Sequence, residues 1–158
     1  MKTIMFIGKT GCGKTSLAQA LQGREVTYLK TQAVKYGSMV VDTPGEFTEN
    51  RRLYPALMVT SARADIVGFV QDATSETSVF PPQFASMFTK KVIGIISKID
   101  LEEGDPYRAT RFLRRAGAKI MVETSVLKNF GITALRSLLE EGNREIIKSL
   151  DPAGQPRW

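Results

Sequence analysis

The stretch "GKTGCGKT", Gly8 to Thr15, limits the fold more than any other feature of this chain. It fits the pattern G-x-x-x-x-G-K-[S/T], follows the short apolar run "TIMFI" (Thr3 to Ile7) and opens the amphipathic stretch "KTSLAQALQG". A strand, a glycine loop and a helix in that order bring consecutive backbone N–H groups and a helix N-terminus to one point, where they cradle phosphate oxygens. Gly8, Lys9, Thr10, Gly11, Cys12, Gly13, Lys14, Thr15 and Ser16 are therefore candidate nucleotide-binding residues. Lys14 is placed to reach the β and γ phosphates and the Thr15 hydroxyl to bind Mg²⁺. The competing reading is a plain glycine-rich turn.

The rest of the chain alternates strand with helix. "QAVKYGSMVVD" predicts two short strands turned at Gly37, and "NRRLYPALMVTSA" a helix in which Pro55 marks a late start or a kink. "ADIVGFVQD" and "KKVIGIISKID" are β-rich apolar runs with polar C-terminal ends, separated by a loop with a short helix beginning near Gln83. "DPYRATRFLRRAG" reads as a helix capped by Asp105, with Pro106 first and Gly117 closing it. "KIMVETS" is a last strand, and "GITALRSLLEEGNREIIKSL" a last helix with Ile132, Leu135, Leu138, Leu139 and Ile146 inward. The pattern predicts a three-layer α/β/α sandwich around a mostly parallel sheet with one antiparallel edge strand. One domain is expected over residues 1–150, with a disordered tail over 151–158.

With 158 residues, 42% of them apolar, the chain can bury a core. The apolar run at the start is too short for a signal peptide and no later run approaches a membrane span, so a cytoplasmic protein is expected. A single cysteine, Cys12, excludes an internal disulfide, and the absence of histidine excludes a His-centred triad or His metal site. Any metal is then a hard, oxygen-bound ion. The net charge of +6 points to an anionic partner. Arg108, Arg111 and Arg115 at near-helical spacing form either a solvated face or a docking surface for an acidic protein. Without interleaved aromatic residues they do not suit DNA or RNA.

Three further motifs follow the phosphate loop. In "DTPGEF" (Asp42 to Phe47) the acid ends an apolar strand, where it can hold Mg²⁺ through water, and Gly45 offers a backbone N–H to a γ-phosphate. Taken alone, it is equally a turn between strand and helix. In "SKID" Asp100 can accept two hydrogen bonds from guanine while the Lys98 stem covers the base; adenine lacks those donors. Taken alone, this is a strand-to-loop junction. Ser125 and Val126, after the last strand, are placed so that a backbone N–H can meet the base carbonyl. Cys12 is either a small side chain packed on the loop or a redox switch that needs a low thiol pKa.

Phosphate loop, Mg²⁺ acid, base-reading acid and base-carbonyl loop, in that order, resemble the layout of Ras-like small GTPases of the P-loop NTPase class across nearly the whole chain. Within that class "KTQAV" (Lys30 to Val34), ahead of a short hairpin and "DTPGEF", resembles the ethanolamine- and propanediol-utilisation proteins called EutP and PduV. The resemblance implies that Thr31 is the switch threonine contributing to Mg²⁺, that GTP and GDP are the ligands, and that the setting is bacterial microcompartment metabolism, with a shell or cargo protein as partner. Members of the family have been described as acetate kinases, which would make ATP and ADP the ligands instead. Ser97 stands where most GTPases carry Asn, shortening the brace between base loop and phosphate loop. Gly11 stands where potassium-activated GTPases carry Asn.

Glu46 stands where Ras-like proteins place the glutamine that orients the attacking water. A carboxylate there repels the charge developing on the phosphate, unless it swings outward or Arg51 or Arg52 offsets it. The bland alternative is an exposed first-turn residue favoured by the helix dipole. Three functions are compatible with these residues. The first is a slow Mg²⁺-dependent GTPase using Lys14, Thr15, Thr31, Asp42 and Gly45. The second is an ATP-dependent acetate kinase, whose acceptor anion would meet Arg51, Arg52 or Lys30. The third is a non-catalytic, nucleotide-gated docking module.

Overall fold

The computed structural model describes residues 2–23, 35–36 and 40–141. Its sheet is built outward from β1 (Ile4–Ile7), whose four side chains are all buried because the strand is covered on both faces. The chain then passes through α1 (Lys14–Leu21), β2 (Lys35–Tyr36) and β3 (Val40–Asp42). After β3 come α2 (Glu46–Glu49), α3 (Tyr54–Ser61), β4 (Ile66–Asp72), β5 (Lys91–Ser97), α4 (Pro106–Arg115), β6 (Met121–Glu123) and α5 (Ile132–Glu141).

The strand order is β2-β3-β1-β4-β5-β6. Strands β3, β1, β4, β5 and β6 run parallel, and β2 is registered antiparallel to β3 through Lys35↔Asp42 and Tyr36↔Val41. Phe6 aligns with Asp42 and with Gly68, and Asp72 with Ser97. This register brings the polar carboxyl ends of β3, β4 and β5 level with the loop that leaves β1, the edge at which parallel α/β sheets hold ligands.

Alternating strand residues divide the core in two. Ile4, Phe6 and Ile95 pack with Leu17 and Leu21 of α1 and Leu135 and Leu139 of α5 on one face. Met5, Phe69 and Ile96 pack with Leu57 of α3 and Ala109 and Leu113 of α4 on the other. The result is the expected three-layer sandwich. The inward set Ile132, Leu135, Leu138 and Leu139 of α5 is buried, whereas Ile146 and the tail 151–158 lie outside the described residues.

Local chemistry sets the element ends. Pro55 lies in the first turn of α3 and so marks a late start; ahead of it a 3₁₀ turn, Arg51–Leu53, is capped by the Asn50 side chain, which accepts from the Arg52 amide at 3.0 Å. The α4 cap is the Asp105 carboxylate, accepting from the Arg108 amide at 3.0 Å, and Gly117 follows with φ 100°. Arg108 is half-buried with its guanidinium directed at the Ala73 carbonyl, so the exposed face of α4 carries Tyr107, Arg111, Arg114 and Arg115 instead.

Between β4 and β5 the short helix expected near Gln83 is a 3₁₀ turn, Phe84–Met87. The chain there is held by side chains: Phe80, Phe84 and Phe88 surround Phe69 at ring-centroid distances of 4.8, 5.5 and 5.9 Å. The last strand shortens to three residues. Among the described residues no helix is long and apolar enough to cross a membrane.

Candidate functional site

Gly8 to Thr15 connects β1 to α1. Gly13 precedes the helix with φ 103°, a backbone angle that only glycine adopts without strain. Lys14, the first helical residue, is 5% exposed, and its ammonium donates to the Gly8 and Lys9 carbonyls at 2.9 and 3.1 Å. A buried charge needs such partners, and here they draw the cation back onto the start of the loop. Cys12 is buried against Gly8 and the core. Burial pushes its thiol up from the ordinary value, with the Lys14 ammonium offsetting part of the rise. The low thiol pKa that a redox switch requires is thus absent, and Cys12 is a packing residue.

On the β3 side the Thr15 hydroxyl donates to Asp42 Oδ2 at 2.7 Å, and Asp42 is 4% exposed. Thr43 fixes the exit from the strand, its hydroxyl donating to the Phe6 carbonyl at 2.8 Å. A hydroxyl and a carboxylate side by side are a hard-oxygen donor set that fits Mg²⁺. No group of three or more His, Cys, Asp or Glu side chains gathers for a metal among the described residues. An ion held by Thr15 and Asp42 would therefore complete its shell with phosphate and water oxygens, as Mg²⁺ does. Thr31, the other expected ligand, and Lys30 lie outside the described residues.

Gly45 packs directly on the loop: a Cβ built on it would overlap the backbone N, the Cα and the hydroxyl of Thr10. Glu46 follows in the first turn of α2 and is exposed. One turn on, Glu49 reaches back, and its Oε2 accepts from the Thr10 hydroxyl at 2.9 Å.

On the β5 side two residues of "SKID" clamp the phosphate loop. The Ser97 hydroxyl donates to the Cys12 carbonyl at 2.6 Å, and the Lys98 ammonium donates to the Gly11 carbonyl at 2.7 Å. Lys98 adopts φ 60° and also pairs with Asp72 at 2.9 Å. For Asp72, burial favours the neutral acid, but hydrogen bonds from Thr74 and Lys98 outweigh it and hold the carboxyl below its usual range. Asp100 Oδ1 accepts from the Ser125 hydroxyl at 2.7 Å, which fixes the carboxylate's orientation. The Ser125 amide is committed to the Phe130 carbonyl at 3.0 Å. Ser125 thus offers its hydroxyl and not its N–H, while Val126, the other residue of the expected pair, lines the cleft.

Thr10, Lys14, Thr15, Gly45, Ser97, Asp100 and Val126 line one cleft of about 420 Å³. That volume lies within the range of small-molecule sites. The sequence reading missed Glu49 and Asp72. Neither belongs to a motif; each finds its partner, Thr10 or Lys98, only in the folded chain.

Comparison with known proteins identifies the family of the chain. A family model described as ethanolamine utilisation and propanediol utilisation matches residues 1–141. A relative in Citrobacter freundii, propanediol utilization protein PduV, is 42% identical over 135 residues, covering 84% of this chain and 89% of the relative. Proteins named "Probable acetate kinase EutP" also match. That of Escherichia coli (strain K12) is 36% identical over 119 residues, covering 74% of this chain and 75% of the relative. That of Salmonella typhimurium (strain LT2) is 39% identical over 115 residues, covering 72% of each.

Proposed function

This chain belongs to the ethanolamine and propanediol utilisation family, and from that premise we propose that it is a Mg²⁺-dependent guanine-nucleotide-binding protein that hydrolyses GTP slowly. The observation that carries the reading is the double clamp of Ser97 and Lys98 on the Cys12 and Gly11 carbonyls. It ties the phosphate loop to the loop bearing Asp100, so that one rigid cleft offers phosphate contacts at one end and a fixed carboxylate at the other.

In this reading the amides of Gly11 to Thr15 hold the phosphates and Lys14 turns from the loop carbonyls toward them. Asp100 accepts from the guanine N–H donors, and adenine would leave that carboxylate unpaired. Thr15 and Asp42 would hold Mg²⁺, which would supply positive charge to offset that of the phosphates. Gly45 donates its N–H to the γ-phosphate. Glu46, an anion where a water-orienting amide would serve, leaves unaided hydrolysis on the order of 10⁻³ to 10⁻⁴ s⁻¹ or slower. The setting proposed is cytoplasmic, at a bacterial microcompartment, with a shell or cargo protein as partner.

The EutP relatives favour a second reading, an ATP-dependent acetate kinase. There an acetate oxygen attacks the γ-phosphorus, the bond to the β-phosphate oxygen breaks, and ADP and acetyl phosphate leave. Calorimetric titration with GDP, GTP, ADP and ATP, then phosphate release with and without acetate, separates the readings. Guanine affinity at least tenfold above adenine affinity, lost in Asp100→Ala, is the expected result. Acetyl phosphate formed from ATP would replace the first reading with the second. Binding with no turnover at all would leave only a nucleotide-gated docking module.

A further inference from the structure

We infer that Glu49 is a specificity-determining residue, setting the preference between a nucleoside diphosphate and a triphosphate by latching the Gly45–Glu49 turn onto Thr10. The inference rests on the nucleotide reading above and goes beyond it. That reading has the Gly45 amide meet the third phosphate, so the space in question is the one between Gly45 and the phosphate loop at Thr10.

Two separate contacts close that space. Gly45 lies so near Thr10 that no additional carbon fits between them, and the Glu49 carboxylate accepts the Thr10 hydroxyl from the far end of the same helical turn. The turn is fixed in itself: the Thr48 and Glu49 amides donate to the Gly45 carbonyl at 3.0 and 3.1 Å. Gly45 and Glu49 therefore move as a unit. A diphosphate is served by Lys14, Thr15 and the amides at the start of α1 and leaves the latch in place. A third phosphate has to part Gly45 from Thr10, which breaks the Thr10 to Glu49 bond and brings its charge beside a carboxylate.

Glu49 is exposed, so its effect is moderate and selective. The test is titration of the wild-type chain, Glu49→Gln and Glu49→Ala with GDP and with guanosine 5′-(β,γ-imido)triphosphate in Mg²⁺. If the wild type selects adenine, the matching adenine pair is used. Glu49→Ala should raise the ratio of triphosphate to diphosphate affinity by about three- to tenfold, with diphosphate affinity unchanged within about twofold. Glu49→Gln removes the charge and keeps an acceptor, so it should give a smaller rise in the same direction. An unchanged ratio in Glu49→Ala, or equal shifts for both ligands, overturns the inference while leaving nucleotide binding intact. Failure of the wild type to bind any of the four nucleotides overturns both.

Discussion

Ser97 occupies a position where a longer amide side chain is the usual brace, yet its hydroxyl reaches the Cys12 carbonyl at 2.6 Å. It does so because the Asp72↔Ser97 register carries the end of β5 up to the phosphate loop, so a short side chain suffices. The nine consecutive residues from Gly8 to Ser16 were legible because their spacing is local. The partners of Thr10 and Lys98 were not, since Glu49 and Asp72 meet them only in the folded chain. Cys12 gives the residue-scale prediction. Desolvation keeps the thiol protonated at neutral pH and the loop covers it, so it should be inert in the native protein. Iodoacetamide at pH 7.5 should leave the folded chain unmodified by mass spectrometry and label it fully in denaturant. Rapid labelling of the native state would show that the loop opens far more than its packing allows.

Between β4 and β5 the sequence looks like a loop, and by its backbone it is one. Its order comes from phenylalanines that repeat every fourth position, a helical spacing realised without a regular helix. Two prolines, Pro81 and Pro82, precede the single 3₁₀ turn, and Gln83 enters it at φ 60°. Hydrophobic periodicity could not reveal this cluster, because the rings converge on Phe69 from a strand and on Tyr54 from the start of α3. Phe84 sits at the centre, its ring 5.0 Å from Tyr54, 5.5 Å from Phe69 and 5.6 Å from Phe88. It is 3% exposed. Phe84→Ala removes that burial and leaves a cavity that rigid neighbours fill poorly, so the expected loss is about 3–5 kcal/mol in urea unfolding. A loss below about 1 kcal/mol would mean that the loop collapses freely and does not brace α3 against the sheet. Helix ends were more legible: the Asp105 cap and the Pro55 start follow from local chemistry. By contrast, the Arg136 guanidinium that donates to the last carbonyls of α1, Ala20 and Leu21, acts across the fold and left no mark in the sequence.

Across the whole molecule, the alternation of strands and helices made the layered sandwich readable, while strand order depended on which apolar faces could be covered together. That order places β4 between β1 and β5, and so makes Asp72 the hinge of the site's electrostatics. Asp72 holds Lys98, Lys98 holds Gly11, and Ser97 beside it holds Cys12, joining three strand ends through one network. The chain carries +6, so at low pH, as carboxylates are neutralised, its self-repulsion grows. The folded-state pKa of Asp72 is depressed, chiefly because the Thr74 and Lys98 hydrogen bonds overcome its burial. Its contribution is therefore fully present above the unfolded-state value and disappears as pH falls through the lower, folded one. With Lys98 side-chain exposure at 37%, solvent screening keeps the pair itself near about 1 kcal/mol. Asp72→Asn should lower Tm at pH 7, and the gap from wild type should narrow steadily between roughly pH 5 and pH 2. Under the proposed function, nucleotide affinity in the same variant should fall at pH 7, because a Lys98 released from Asp72 no longer fixes the Gly11 carbonyl. A melting gap that stays constant across that pH range would show that Asp72 acts by packing and not by charge.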